Sequence, residues 1–541
     1  MTLGPAKLRQ QKWCDLAATQ WDAIVIGGGI TGAGIACELA RHQLNVLLVE
    51  QKDFAWGTSS RSSKMVHGGL RYIAEGDIKL TRESVVEREK LLKSLPGLVY
   101  KLPYLFAARK NVFPNRFLFG ALLALYDLLA GKWDHRFIKR DALIEMVPEW
   151  RRDGLIGATE YSDAVTDDAR LVLRVLQQAE DNGATALNYV AVDELYMDGG
   201  QVAGVVAKNV LTNEVQAIKG KVVINATGAW ADKVRQPVNS EKRVRPLRGS
   251  HLVVSQQGLK VSQAITFMHP KDKRPVFVFP WEGRTVIGTT DVDHGDDLSA
   301  EASISLDEFN YLLAAVNHQF PDTSLAADDV IATYSGVRPV VSSGKGKDPS
   351  KERRDHSVWV DQGLITVTGG KLTTFRVIAW DVLAKCSHLF NTIDPVLMKK
   401  PLFNDAVDSS AKESTGDPKL DLRLQGRYGG ASSALLNTPM VGALDCIADT
   451  HFVWAELVWA CEQEMVCFLD DLLLRRTRIG LLLPQGGAQF KHQIKNICML
   501  HLAWDEKEWE AQWQRYQSIY AAHYAVPSLV QAAADTELET A

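Results

Sequence analysis

Three glycines and one acid are the residues of this chain whose types and spacing point most directly to chemistry. Gly27, Gly29 and Gly32 form the pattern G-x-G-x-x-G, with Gly28, Ile30 and Thr31 between them. An apolar, β-prone run at 23–26 precedes them, residues 30–41 suit a helix, and a second buried strand at 45–49 ends at Glu50 with Gln51 after it. Strand, glycine turn, helix and acid-ended strand are the layout of a dinucleotide site. Gly27 permits the tight turn, Gly29 leaves the backbone bare toward a pyrophosphate, and Gly32 lets the helix pack closely. The helix N-terminus offers N–H groups and partial positive charge to phosphate. Glu50 can accept hydrogen bonds from ribose hydroxyls, which favours NAD or FAD over NADP. His42 and Gln43 stand where a helix-ending glycine is usual, at a small cost in cap stability.

A second polar cluster follows. Gly57, Thr58, Ser59, Ser60, Arg61, Ser62, Ser63 and Lys64 lead into His67-Gly68-Gly69-Leu70-Arg71-Tyr72. Hydroxyls and amides this dense can bind a pyrophosphate and a polyol chain. Further on, a buried strand at 222–226 runs into Thr227-Gly228, and a strand at 364–367 turns at Gly369-Gly370 into a helix that begins near Lys371. A helix start there can stabilise negative charge. No second G-x-G-x-x-G follows a strand. A flavoenzyme that draws electrons from NAD(P)H usually has a second nucleotide site.

The elements that position these residues belong to a chain of 541 residues, 46% hydrophobic and 23% charged, with net charge −4. That is globular composition with room for several domains, and its charge argues against nucleic acid as a partner. Seven cysteines without C-x-x-C or Cys/His ligand spacing indicate a reducing compartment, no disulfide framework and no metal site. The N-terminus lacks the apolar core of a signal peptide, and no run reaches the ~20 apolar residues that span a bilayer. One apolar run, 117–126, has basic flanks at Lys101, Arg109, Lys110, Arg116, Lys132, Arg136, Lys139 and Arg140, with Asp127 and Asp134 as the acids of that region. It suits a segment lying on an anionic membrane face, and equally a core helix with a solvated basic rim.

Asp167 to Gln178 reads as a helix, and Ser305 with Glu308 as a capping box. Residues 404–418 read as a linker, with a mainly helical region beyond it. There Leu457, Cys461, Met465, Phe468 and Leu472 fall on one helical face, a core stripe. The tail after Pro527 reads as frayed.

The glycine fingerprint, the Ser-rich turn with HGGLRY, NATGAW at 225–230, RGSH at 248–251, IGTTD at 287–291, YSGVRP at 334–339 and GGKLTT at 369–374 occur in this order. Together they closely resemble the FAD-dependent glycerol-3-phosphate dehydrogenases of respiring bacteria, over about residues 20 to 385. DDLLLRRTR at 470–478 fits that family's C-terminal domain. Arg248 stands where family members often have lysine, which keeps the charge and changes its geometry. The resemblance implies an α/β and α+β multidomain fold. A doubly wound FAD-binding domain, of glutathione-reductase or amino-acid-oxidase type, would comprise 20–90, 155–230 and 350–390. An interleaved antiparallel-sheet domain facing substrate and membrane would comprise 91–154 and 231–349. A linker at 391–418 and a C-terminal helical domain at 419–541 would complete it.

The implied activity is oxidation of sn-glycerol 3-phosphate to dihydroxyacetone phosphate, with electrons passed to membrane quinone by a protein peripheral on the inner face of the cytoplasmic membrane. The mitochondrial relatives' calcium loops are not seen. A homodimer is compatible with the sequence. The ADP half of FAD would lie on the stretch from Asp22 to Glu50 and Gln51, and the pyrophosphate and ribityl on Ser59, Ser60, Arg61, Ser63 and Lys64. His67, Thr227, Gly228, Gly370, Lys371, Leu372 and Thr373 would complete the cofactor site. Arg71 and Arg338 would hold substrate phosphate and hydroxyls with Tyr72 lining the pocket, and Lys371 would serve flavin or substrate. A general base with pKa near neutrality points to histidine. His67 and His251 both lie in motifs, and either also suits a structural histidine. Two alternatives share the fold: an oxidase that passes electrons to oxygen, and an amine or amino-acid oxidase. A non-catalytic FAD-dependent membrane scaffold is a third, from another class.

Overall fold

The structure, a computed structural model, describes residues 3–74, 76–342, 355–403 and 414–527, without the side chains of Arg71 and Ala74. The reading of 404–413 as linker and of the tail after Pro527 therefore lies outside the described residues.

Strand Trp21–Ile26 is the centre of the first sheet. Its Ala23, Ile24 and Val25 are wholly buried, as the apolar run of a central strand in a two-sided parallel sheet must be. Val46–Val49 and then Thr185–Leu187 lie in parallel on one side, Val215–Asn225 and then Leu364–Thr368 on the other, with Ser357–Asp361 at the edge. A hairpin, Val190–Asp198 with Gln201–Asn209, extends the outer half of Val215–Asn225. Helices Ile30–Arg41, Asp168–Asp181 and Phe375–Cys386 pack together on one face. The first of these has the bounds its sequence suggests, and it stops without glycine because Gln43 itself takes a left-handed φ of 61°. Asp167 caps the second: its side chain accepts from the Arg170 N–H.

The second sheet is mostly antiparallel. Its strands run in the order Val292–Asp293, Val244–Val254, Arg284–Gly288, Pro275–Trp281, Ala264–Met268, Val99–Arg109, Leu155–Thr166 and Met65–Val66, with Val330–Val341 also paired to Val244–Val254. The domain boundary at 155 is thereby corrected. Leu155–Thr166 carries the long antiparallel ladder to Val99–Arg109, so it belongs with the second sheet, and Met65–Val66 joins it there. The capping box at Ser305 and Glu308 forms and opens helix Leu306–Gln319.

The C-terminal region is helical, as expected. Of the stripe from Leu457 to Leu472, Leu457, Cys461, Met465 and Leu472 are core and Phe468 is half-buried, and the stripe is not one helix. Helix Trp454–Gln463 ends, Met465 takes φ 49°, and a short helix restarts at Leu469–Asp471. Backbone breaks here bring Asp470, Asp471, Arg475 and Arg476 to buried positions. Arg475 and Arg476 reach across to Asp53 at 2.6 and 2.7 Å, Arg427 reaches Asp167 at 2.8 Å, and Arg423 meets Glu456 at 2.8 Å. Burial by itself would raise the Asp53 carboxyl, but Arg476 and Arg475 outweigh it and hold it at about 2.

A depressed carboxylate stabilises the fold above its unfolded pKa of roughly 3.9. That contribution disappears as pH falls toward the folded value. Asp53→Ala leaves two buried guanidiniums short of a partner and should cost about 3–5 kcal/mol at neutral pH. The deficit should shrink below about pH 4, where the wild type loses the same contribution. Urea denaturation of both proteins across pH 3 to 7 (roughly the window set by) checks this, and a pH-independent difference contradicts it.

Candidate functional site

The first sheet's parallel strands end together. Ile26 pairs with Asn225 and Val49, and Asn225 with Thr366. The loops that follow them therefore share one edge, the place where open α/β sheets bind ligands. A cavity of about 250 Å³ lies there. It is lined by Gly27, Gly29, Ile30, Thr31, Glu50, Gln51, Ser59, Thr227, Gly228, Gly370, Lys371 and Leu372, all of them residues singled out in the sequence.

Steric contacts account for two of the glycines. Gly27 has φ +114°, and a Cβ there would sit 2.7 Å from the Ala226 carbonyl oxygen. A Cβ on Gly32 would lie 1.9 Å from the carbonyl oxygen of Gly27 and 3.5 Å from Val25 Cγ1, so the helix crosses its own turn and the end of the strand without room for any side chain. Gly29 is the N-cap, and no side chain caps the helix from that position. Instead Ser59 Oγ accepts from the Ile30 N–H at 3.0 Å. Glu50 accepts from the Gly28 and Lys52 N–H groups at 2.7 and 2.9 Å, and burial pushes its carboxyl upward. Gly28 and Gly32 thus support the turn from behind the cavity. Across from it, Gly369 and Gly370 both have positive φ, 81° and 82°. Lys371 caps the short turn Leu372–Thr374 that precedes helix Phe375–Cys386.

The Ser-rich segment is only partly what its sequence suggests. Arg61 does not face the cavity: its guanidinium meets Tyr524 Oη at 3.0 Å and Glu301 at 2.9 Å and lies over the Trp56 ring. Lys64 is likewise corrected. It is buried, ion-paired to Asp168 at 2.9 Å and set over the Trp281 and Tyr334 rings, and burial lowers it to about 8. Both are cations that the interior neutralises locally. Ser60 is buried, and its carbonyl accepts from Lys64 and Arg478. Ser63 Oγ lies 2.9 Å from His251 Nε2. Trp56 and Trp230 also line the cavity, with ring centroids 5.9 Å apart; Trp230 closes the NATGAW motif, whereas no motif marks Trp56.

Beyond Lys371 a second group of residues gathers. The Lys371 ammonium donates to Ser84 Oγ at 2.7 Å and lies 3.9 Å from the Tyr72 ring centroid. Burial lowers it to about 7. Ser84 comes from helix Ile78–Ser94, whose amphipathic sequence has no feature that marks it. His67 is tied through its backbone to Thr373: its N–H donates to Thr373 Oγ1 and its carbonyl accepts from it, both at 3.1 Å. His251, on strand Val244–Val254, is buried and stacks on Tyr334 at 4.6 Å. Burial, Arg338 and Lys64 hold its pKa well below 6.5. Its Nδ1 makes no hydrogen bond. Arg338, a fifth exposed, pairs with Asp291 at 2.9 Å and donates to Thr289 Oγ1 at 2.8 Å. Arg248 spans Glu308 and Asp296, both at 2.9 Å. The Arg71 side chain lies outside the described residues.

A glycine-turn helix start, an acid on the neighbouring strand and a facing glycine pair form a dinucleotide cradle, to which the family comparison gives the chemistry. Residues 22–379 match the family model described as FAD dependent oxidoreductase, and residues 403–509 match the C-terminal domain of alpha-glycerophosphate oxidase. The chain belongs to the FAD-dependent oxidoreductase family, in the branch that contains the aerobic glycerol-3-phosphate dehydrogenases. Relatives of that name include a Staphylococcus haemolyticus protein, 34% identical with 86% of this chain and 87% of its own length covered. A second, from Staphylococcus saprophyticus, is 32% identical with 94% and 96% covered. The crystal structure of the Bacillus halodurans glycerol-3-phosphate dehydrogenase complexed with FAD is similar at a TM-score of 0.75 and 29% identity, covering 95% of this chain and 98% of that one. The cofactor is FAD, and the cradle fits it: the helix start with no side chain on its Gly29 N-cap and the bare glycine backbone suit a pyrophosphate, and Glu50 suits a ribose.

The two glycines predict different failures. Gly32→Ala drives a Cβ into backbone and should prevent a stable fold, whereas a Cβ on Gly29 meets Ser59 Oγ at 3.0 Å and can be accommodated. Gly29→Ala should fold yet bind FAD at least about tenfold more weakly, since bare backbone is needed next to the pyrophosphate. Thermal melts and flavin content of the purified variants check both.

Proposed function

We propose that this protein oxidises sn-glycerol 3-phosphate to dihydroxyacetone phosphate and passes the electrons to membrane quinone. One observation carries the reading: Lys371 belongs at once to the dinucleotide cavity and to the cluster with Tyr72 and Ser84. It stands where the reactive end of a dinucleotide would meet a small anionic substrate. FAD, when bound, supplies the hydride acceptor. Gly27–Gly32, Glu50, Gln51, Ser59, Thr227 and Gly228 would hold its ADP and ribityl portions, with Gly370, Lys371 and Leu372 near the ring.

The protein's own tasks are to hold the phosphate, orient the carbinol carbon and take the hydroxyl proton. Arg338 and Arg71 are assigned to the phosphate, with Tyr72 lining the site. His251 is assigned as base over His67, because it has a ring nitrogen without a hydrogen bond while Ser63 holds the other. Its low pKa keeps it neutral, though a base far below working pH is weak. The cation Arg338 contributes to that depression. A dianion placed on Arg338 would offset that charge and raise the base toward its useful range. Lys371, half-protonated near pH 7, would regain its proton beside the same dianion.

Adding glycerol 3-phosphate without oxygen should bleach the visible flavin band, and no bleaching rejects the substrate. Arg338→Ala should raise KM about a hundredfold with FAD retained, the order expected for one partly buried charged contact. Wild-type kinetics for that variant remove the phosphate role. Because kcat/KM reports the free enzyme, it should fall as pH rises through about 7, where Lys371 loses its proton. Lys371→Arg should abolish that alkaline limb. The C-terminal match to an alpha-glycerophosphate oxidase domain keeps oxygen as the rival acceptor. Comparing oxygen with a soluble quinone decides between them.

Docking on an anionic membrane face is part of the proposal. Among the described residues no helix is long and apolar enough to cross a membrane. Helix Arg116–Ala130 buries Phe119, Leu123 and Tyr126 but leaves Phe117 and Leu128 exposed, at 72% and 75%, close in sequence to exposed Phe113 and Trp133. Arg109, Lys110, Arg116 and Lys132 flank this apolar surface. Co-sedimentation with anionic vesicles should be salt-sensitive and should weaken in the double variant Phe117→Ser, Leu128→Ser. Unchanged binding places the docking face elsewhere.

A further inference from the structure

The segment from Glu50 to Lys64 forms one wall of the FAD cavity, with Glu50, Gln51, Trp56, Thr58 and Ser59 facing it. Its other side is held by residues far along the chain. Asp53 Oδ2 accepts from Arg475 Nε at 2.6 Å and Arg476 Nη1 at 2.7 Å, and Asp53 Oδ1 accepts from Arg476 Nη2 at 2.7 Å. The Ser60 carbonyl accepts from Arg478 at 2.6 Å. Arg61 donates to Tyr524 Oη through Nε and Nη2, at 3.2 and 3.0 Å. It also stacks on Trp56, whose Nε1 donates to Glu301, the ion-pair partner of Arg61. Four C-terminal residues thus hold three successive points of one cofactor wall. All are buried, where charge-assisted bonds are strong and an orphaned partner is costly.

We propose that the C-terminal region sets the protein's affinity for FAD, with Arg475, Arg476, Arg478 and Tyr524 as positioning residues that hold the 53–61 segment in its cofactor-binding form. They do not line the cavity, and they act through the wall. The helical region is then part of the cofactor site and not only a cap beside it. A wall that shifts by a fraction of an ångström misplaces Trp56 and Ser59, and Ser59 also holds the N–H of Ile30 at the helix start. The inference rests on FAD as the ligand, and it is independent of the substrate and of the electron acceptor.

The test is FAD release from holoenzyme, followed as the rise in free-flavin fluorescence after dilution. Tyr524→Phe removes one hydroxyl and should speed release about fivefold, the worth of one buried hydrogen bond. Arg476→Met removes two bonds to Asp53 and should speed it about tenfold or more. Arg423→Met is the control: it breaks an equally buried ion pair in the same region, with Glu456 and Glu282, away from the wall. It should destabilise the protein to urea yet leave FAD release within about twofold of wild type. Wild-type release rates in both Tyr524→Phe and Arg476→Met overturn the proposal. So does an Arg423→Met protein that loses FAD as fast as they do, since general destabilisation would then explain all three. If Arg476→Met does not fold, Tyr524→Phe decides alone. A wild-type protein that retains no FAD would count against the cofactor reading instead.

Discussion

The carbonyl of Gly27 occupies the space where a side chain at position 32 would begin, and the rest of the site depends on that contact. Without a Cβ at 32 the helix Ile30–Arg41 can leave the strand Trp21–Ile26 at the angle that aims its N-terminus into the cavity. The register of the parallel sheet does the rest. With Ile26 level with Asn225 and Val49, the loops bearing Thr227-Gly228 and Glu50 end at the same edge, and Leu364–Thr368 brings Gly369-Gly370 beside them. A cofactor site made from four distant stretches of chain is thus a consequence of strand pairing and of one steric exception.

Around this edge the protein concentrates positive charge and neutralises most of it in place. Lys64 has Asp168, Arg338 has Asp291 and Arg61 has Glu301. Lys371 differs: its hydrogen-bond partner Ser84 is neutral, it lies against the face of Tyr72, and burial outweighs the more distant carboxylates Asp355, Asp77, Asp163 and Glu83. A cation buried on neutral groups has a depressed pKa and gains from the arrival of an anion. The same reasoning applies to His251, which burial, Arg338 and Lys64 hold well below its usual pKa: an anion placed at Arg338 would raise it.

Legibility in the sequence followed the range of the interaction. The glycine turn, Glu50, Thr227-Gly228 and Gly369-Gly370 were readable because each is a local backbone requirement, written in residues that only such a turn needs. Helix Ile30–Arg41 and the Ser305 capping box were readable for the same reason, and the helix read from Asp167 to Gln178 was found with Asp167 as its cap and its end at Asp181. Arg61 and Lys64 were misread because composition says that a loop is polar and not which way each side chain points. Ser84 and Trp56 carried no signal, since an ordinary residue on an amphipathic helix or loop becomes part of a site only when another element is set against it. The stripe from Leu457 to Leu472 showed the limit of periodicity: four of its five residues are buried, but Phe468 is half-buried and the helix breaks before Met465.

By itself, then, the sequence determined that a dinucleotide would sit on a glycine turn beside an acid-ended strand, and its motif order placed the chain in its family. Tertiary structure alone decided which cations face the ligand and which are spent on buried carboxylates. It also decided that Leu155–Thr166 joins the second sheet and that Arg475 and Arg476 close on Asp53 more than 400 residues earlier. The physical reason is that backbone conformation is encoded within a few residues. The partner of a buried charge is chosen by packing, which the local sequence does not contain.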